Sequence, residues 1–202
     1  MAADAGLIVL DRDGVLNRLL PNPAEPRPDS PMRPGEVEVF PWVPAALGAL
    51  TRAGYGLCIA SNQPAAAKGK TTRAELEAAH AVVLAAATAE GGVVLSSHLC
   101  FHRAEDGCAC RKPATGLLEE AFALHRRYAR ARSWMVGDRA PDVLCGAAFG
   151  LQTAYLGEAT SAEHAELVAR GVRPAFVGRD LRDFVAFLLA PYDPSGRLPE
   201  SA

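Results

Sequence analysis

Short apolar runs alternate along this chain with longer stretches whose apolar positions recur at helical spacing. That is the pattern of strands buried on both faces and of the helices that cover them. Residues 7–10, 55–60, 93–99, 134–136 and 153–156 read as strands, with 175–177 as a short edge strand. Residues 44–53, 72–89, 117–128, 143–149, 161–170 and 181–189 read as helices. Gly54 and Gly150 stand where helices stop, and Thr72 with Glu75 forms a capping box that opens one. Strand and helix in alternation predict an α/β fold with a parallel sheet covered on both sides. The pattern fails between Asn17 and Pro41, where Pro21, Pro23, Pro26, Pro28, Pro31, Pro34 and Pro41 exclude an ordinary helix and disfavour a central strand. Because this stiff loop leaves the first strand, it is read as a flap over a site rather than a plain linker.

Composition narrows the class. With 202 residues, 50% of them hydrophobic, the chain can bury one sizeable core, so residues 1–190 are expected to form a single domain and 191–202 a frayed tail. A formal charge of -2 argues against a broad nucleic-acid surface, and Arg126, Arg127, Arg130 and Arg132 fall at the spacing of a solvated helix face. The Ala-rich stretch 78–89 is too short for a membrane span. Unpaired cysteines and an N-terminus without a basic region before a long apolar one favour the cytoplasm.

Chemistry gathers at the strand ends. Asp11-Arg12-Asp13-Gly14 follows the first strand, so two carboxylates turn into a Gly-containing loop where one can attack phosphorus and the other move a proton. A second acidic cluster, Gly137-Asp138-Arg139-Ala140-Pro141-Asp142, follows the strand at 134–136. Ser61-Asn62-Gln63 ends another strand, and Arg111-Lys112-Pro113 supplies paired cations. In an open parallel sheet such ends share one crevice. Each motif has a local alternative: Asp138 and Asp142 can cap a helix, Ser61 and Asn62 can form a turn, and Arg111 can serve a surface ion pair.

Cys100-Phe101-His102 and Cys108-Ala109-Cys110 bring three thiols and an imidazole into one short segment, matching the ligand set of a closed structural zinc site. Reduced thiols without metal are the alternative. His98 is a reserve ligand or, more simply, a satisfied histidine. Cys58 and Cys145 sit inside apolar elements as buried thiols, and His80, His125 and His164 lie on helices without nameable partners.

Carboxylate, hydroxyl, cation and second carboxylate, in that order, resemble the haloacid dehalogenase-like (HAD) hydrolase superfamily from Leu7 to about Leu189. Residues 11–17 (DRDGVLN), 61–63 (SNQ) and 108–113 (CACRKP) resemble most closely its capless, zinc-containing branch, subfamily IIIA, which includes heptose 1,7-bisphosphate phosphatases and histidinol phosphatases. The resemblance implies a Rossmann-like three-layer sandwich with a zinc-binding loop at 98–113. It makes Asp11 the nucleophile, Asp13 the acid and later base, and Ser61 and Lys112 the holders of the transferring phosphoryl group. It implies catalytic magnesium on Asp11, the Asp13 carbonyl and Asp138, with Asp142 in support, and structural zinc on Cys100, His102, Cys108 and Cys110. Asn17, Asn62, Gln63, Arg111 and Arg139 would contact substrate.

The expected activity is magnesium-dependent hydrolysis of a small sugar phosphate through an aspartyl-phosphate, with heptose 1,7-bisphosphate going to the 1-phosphate. The expected protein is a monomer or small homo-oligomer without nucleic-acid or membrane partners. Departures from the branch fall on loops that would choose the leaving group: Leu19-Leu20-Pro21-Asn22 replaces a Gly-Tyr-Val-like segment, Pro64-Ala65-Ala66-Ala67-Lys68-Gly69 replaces Ser-Gly-Ile-Ala-Arg-Gly, and Phe101 stands for Pro. A histidinol-phosphate or other small-molecule phosphatase is the alternative on this scaffold, and a zinc-stabilised binding module without turnover is the alternative outside enzymes.

Overall fold

A computed structural model describes residues 6–22 and 28–190. Strands β1 (Leu7–Leu10), β2 (Gly56–Asn62), β3 (Val94–Cys100), β4 (Trp134–Gly137), β5 (Gln152–Leu156) and β6 (Phe176–Gly178) form one sheet in the order β3-β2-β1-β4-β5-β6. Every neighbouring pair is parallel. Each parallel step needs a crossover, and helices α1 (Val43–Arg52), α2 (Arg73–Ala87), α3 (Gly116–Leu124), α4 (Ala140–Phe149), α5 (Ala162–Ala169) and α6 (Leu181–Leu189) lie between the strands or follow the last one.

Strand β1 shows why the sequence takes this form. Ile8 and Leu10 pack with Leu47 and Leu50 of α1, Val83 of α2 and Phe184 of α6, while Leu7 and Val9 pack with Leu118 and Phe122 of α3 and Phe149 of α4. A strand with both faces covered must be apolar at every position, and each of its four fully buried side chains contributes about 1.5–3 kcal/mol by leaving water. A charge at Val9 would break this centre. The expected three-layer sandwich is therefore the observed one.

The same order sets the site. Strand β1 leads to β2 on one side and lies against β4 on the other, so the winding reverses between β1 and β4, where such sheets open a crevice at the carboxyl ends. Leu10 is in register with Val136, and the Asp11 N–H donates to the Val136 carbonyl at 2.9 Å. Asp11 and Asp138 thus leave adjacent strands side by side.

Some boundaries differ from the sequence pattern. Strand β2 continues through Ser61 and Asn62, which removes the turn reading for both residues. Helix α3 stops at Leu124 rather than 128, because Tyr128 turns in over Gly56, where a Cβ would lie 2.5 Å from its ring. Helix α4 starts at Ala140, three residues early: Pro141 is pre-set for a first turn, and Asp142 accepts from the Arg139 N–H at 3.1 Å to close a capping box. The Pro-rich loop folds back on itself. Leu20 and Asp29 exchange backbone hydrogen bonds of 2.8 and 2.9 Å, and Phe40 N–H donates to Leu16 at 3.0 Å. Pro23, Pro26 and the expected tail 191–202 lie outside the described residues. Among the described residues no helix is long and apolar enough to cross a membrane.

Candidate active site

The strand ends and the loop before α3 enclose a cavity of about 290 Å³, walled by Asp11, Asp13, Ser61, Asn62, Arg111, Lys112, Asp138, Arg139 and Asp142. Leu19 and Ser30 from the Pro-rich loop, with Pro64, Lys68 and Pro141, complete its wall.

At its floor the Lys112 ammonium lies 3.0 Å from Asp11 Oδ1 and 2.6 Å from Asp142 Oδ1, and it donates to the Ala60 carbonyl at 2.6 Å. Burial alone would lower the pKa of Lys112, but Asp11 and Asp142 hold it above the ordinary lysine range. The carboxylates outnumber this cation. Burial, then the charges of Asp11 and Asp142, pushes Asp138 well above the usual carboxylate range. Burial pushes Asp142 up to about 6 against the opposite pull of Lys112.

Oδ1 of Asp138 is buried without a hydrogen-bond partner, and Asp11, Asp138 and Asp142 each offer an oxygen within 4.8 Å of the others. An orphaned oxygen among crowded carboxylates fits a hard divalent cation such as magnesium. Gly14 makes the crowding feasible: its φ of +86° suits glycine, and a Cβ there would lie 2.1 Å from Asp138 Oδ2.

Asp13 has different surroundings. Arg12 donates from Nε to Oδ1 and from Nη2 to Oδ2, each at 3.0 Å, Asn17 Nδ2 donates to Oδ1 at 2.9 Å, and Gln63 Nε2 donates to Oδ2 at 2.6 Å. Asn17 and Gln63, expected to contact substrate, are instead 0% and 1% exposed and turn toward Asp13 rather than the cavity. Both are side chains that orient a carboxylate.

Asn62 does face the cavity, and it also clamps the cation loop: Nδ2 donates to the Lys112 carbonyl and Oδ1 accepts the Lys112 N–H, both at 3.0 Å. Ser61 Oγ accepts from Gln63 Nε2 at 3.0 Å. Arg139 is held by Glu163 at 3.1 Å, and Arg111 Nη1 donates to the His102 carbonyl at 3.2 Å, so both wall cations are anchored behind the cavity. Several participants carried no signal in the sequence. Arg12, between the two aspartates, is fully buried, and Lys68 and Glu163 lie in segments that read as loop and helix face.

Cys100, at the end of β3, begins the second cluster. Its Sγ lies 3.7 Å from Cys108 Sγ and 3.2 Å from Cys110 Sγ, while His102 Nδ1 lies 3.6 Å from Cys100 Sγ and 3.2 Å from Cys110 Sγ. A tetrahedron with zinc–sulfur bonds near 2.3 Å has edges of roughly 3.8 Å, so the four donors fit zinc with slight expansion. Burial, together with the neighbouring thiols, pushes Cys110 up to about 12, so these groups can be thiolates together only beside a cation. Gly107, at φ +60°, turns the chain between the two pairs, and Arg103 Nε donates to the Ala67 carbonyl at 2.5 Å, bracing this loop against the cavity loop that carries Lys68. His98, the reserve ligand, is absent from the cluster: its Nδ1 meets Glu120 at 3.0 Å and its Nε2 meets Ser96 Oγ at 2.9 Å.

Comparison with known proteins agrees with this geometry. A family model described as HAD-hydrolase-like matches residues 109–184. A D-glycero-beta-D-manno-heptose-1,7-bisphosphate 7-phosphatase of Pseudomonas putida is 36% identical over 151 residues, covering 72% of this chain and 79% of the relative. The crystal structure of the B. bronchiseptica D,D-heptose 1,7-bisphosphate phosphatase, complexed with magnesium and phosphate, superposes with a TM-score of 0.75 at 31% identity, covering 91% of this chain and 98% of that one. The bifunctional histidine biosynthesis protein HisB of Legionella pneumophila is 30% identical over 67% of this chain but only 37% of its own length.

Proposed function

Since the chain belongs to the D-glycero-β-D-manno-heptose 1,7-bisphosphate 7-phosphatase family of the HAD-like hydrolases, we propose that it removes the 7-phosphate of that sugar bisphosphate and leaves the 1-phosphate. As a family member it is a phosphoric monoester hydrolase. The observation that carries the reading is Asp11 and Asp138 on neighbouring strand ends with Lys112 3.0 Å from Asp11.

In this reading Asp11 attacks phosphorus, and the bond to the leaving sugar oxygen breaks as Asp13 delivers a proton to it. Water then attacks the aspartyl-phosphate while Asp13 takes its proton, restoring Asp11 as a carboxylate and Asp13 as an acid and releasing phosphate. Lys112 neutralises the transferring group, and Ser61 Oγ donates to one of its oxygens. Magnesium, held by the Asp11 and Asp138 carboxylates and the Asp13 carbonyl with Asp142 in support, would screen the repulsion between an anionic nucleophile and an anionic phosphate. Zinc on Cys100, His102, Cys108 and Cys110 would have a purely positional role, stiffening the segment that leads into Arg111 and Lys112. Arg111, Arg139 and Lys68, arrayed along the wall, suit the second phosphate, since a planar guanidinium can take two of its oxygens at once.

The test is phosphate release, with and without magnesium, from both heptose 1,7-bisphosphate anomers, histidinol phosphate, simple sugar phosphates and a 3'-phosphorylated oligonucleotide. The reading expects magnesium-dependent release concentrated on the β-anomer at carbon 7. Turnover concentrated on histidinol phosphate would move the substrate and keep the chemistry. No release from folded, zinc-loaded protein would discard the phosphatase reading in favour of a binding module.

A further inference from the structure

Arg12 is the largest fully buried side chain among the described residues, and the two-step chemistry above leaves it without a task. A buried cation is expensive to desolvate, and this one is incompletely satisfied, since its Nη1 is buried without a hydrogen-bond partner. Stability is a weak explanation for it. Its ion pair is with the next residue in sequence, Asp13, and its longer reach is by hydrogen bonds alone, to Gln63 Oε1 at 2.9 Å and to the Pro31 carbonyl at 3.5 Å.

What the guanidinium does is fix a plane. Its Nε and Nη2 take one edge of the Asp13 carboxylate in a fork of two 3.0 Å bonds, and Nη2 also donates to Gln63 Oε1 at 2.9 Å. That second bond settles which way the Gln63 amide faces, with oxygen toward Arg12 and nitrogen toward Asp13 Oδ2 at 2.6 Å and Ser61 Oγ at 3.0 Å. Asn17 completes the hold on Oδ1 at 2.9 Å. The donors occupy both oxygens, so one must yield when Asp13 carries a proton. Gln63 can do so, because its amide keeps Ser61 Oγ as an acceptor. Arg12 then still holds the plane.

We infer that Arg12 is a positioning residue that aims Asp13 at the leaving-group oxygen, with Gln63 as the brace that fixes the guanidinium. The inference rests on the reading of Asp13 as the acid for the departing oxygen, and it goes beyond that reading by assigning the aim of the acid to a residue outside the cavity. It has a chemical signature. A sugar alkoxide is a poor leaving group that needs the proton, whereas p-nitrophenolate departs without it. A loss of aim must therefore depend on the leaving group, and a general loss of folding or metal must not.

The experiment measures kcat/KM, which covers steps through departure of the leaving group, for a sugar phosphate and for p-nitrophenyl phosphate at saturating magnesium. Two variants are compared with the native enzyme. Arg12→Lys keeps the charge and loses the fork, and Gln63→Met keeps Arg12 and removes the oxygen that braces it. General acid catalysis contributes about 10²–10⁴-fold, so Arg12→Lys is expected to lose about 100-fold on the sugar phosphate and under about 3-fold on p-nitrophenyl phosphate. Gln63→Met should lose about 10-fold with the same selectivity.

Equal losses on both substrates, or no loss on either, overturn the inference while native turnover keeps the phosphatase reading intact. If the native enzyme hydrolyses neither phosphate, that reading falls and takes the inference with it. Circular dichroism and thermal melts establish that the variants are folded, and either variant alone decides the question.

Discussion

Asp11 and Asp13 are two residues apart, yet their neighbours differ in kind. Asp11 meets an ammonium at 3.0 Å at the cavity floor, while Asp13 is held by Arg12, Asn17 and Gln63. Asp11→Asn removes the carboxylate proposed as nucleophile with little change of shape. Phosphate release should fall by about 10³-fold or more, with fold and zinc content unchanged by circular dichroism and metal analysis. His80, on α2, is a separate residue-scale case. Neither of its ring nitrogens has a partner, and burial, aided by the charge of Arg12, pulls it down to about 4 from 6.5. Between those values the unfolded chain takes a proton that the folded chain refuses, so this contribution to stability is present near neutrality and is lost as pH falls from 6.5 toward 4. Urea unfolding of the native protein and of His80→Leu across that window should differ in slope, by on the order of 2 kcal/mol in total. Parallel pH profiles would show that His80 titrates normally. That Asp11, Asp13, Ser61, Lys112 and Asp138 would gather in one crevice was legible from the strand ends together with the resemblance, and all five line the cavity. The inward aim of Asn17 and Gln63 was not, because a side chain in the segment after a strand turns toward whatever packs there.

At the scale of elements, the segment from Cys100 to Lys112 joins the thiol cluster to the cavity. Arg103 braces it on Ala67, Asn62 pins Lys112 through two 3.0 Å bonds, and the Arg73 guanidinium lies 4.4 Å from the centre of the Phe101 ring. If the cluster holds zinc, Cys110→Ser should lower bound zinc from one equivalent to a small fraction by atomic absorption. It should also destabilise the fold by on the order of 3 kcal/mol in thermal melts. An unchanged melt with unchanged metal content would leave the thiols as packing groups. The spacing of the cysteines announced this cluster with His102 as its imidazole and His98 in reserve, and the structure shows what keeps the two apart. Both are an even number of residues from Cys100 along an extended chain. The chain leaves β3 at Cys100, which frees His102 to swing toward the thiols, while His98 stays within the strand and meets Glu120 of α3.

For the molecule as a whole, the dominant electrostatic fact is the excess of carboxylate between β1 and β4. Asp142 is raised to about 6 and Asp138 is raised well above its ordinary range, so the folded protein holds protons that the unfolded chain releases near pH 4. Stability of the metal-free protein from these groups therefore falls as pH rises from about 4 through 6. Magnesium should reverse that fall. At a hundredfold excess over Kd it stabilises by about 2.7 kcal/mol, or roughly 5–10 °C in Tm, at pH 7.5. The gain should be markedly smaller at pH 5, where protons compete for the same oxygens, and a shift independent of pH would place the cation elsewhere. The sequence by itself determined the succession of strands and helices, the strand ends that carry chemistry and the thiol cluster. Apolar periodicity, capping residues and ligand spacing are local properties that survive without knowledge of neighbours. Only the tertiary structure decided that Arg12 is buried, that Asn17 and Gln63 turn to Asp13, and that Arg111, Arg139 and Lys68 line one cavity. Those outcomes depend on which strands lie side by side, and the order of a parallel sheet is set by how the crossovers pack over its two faces.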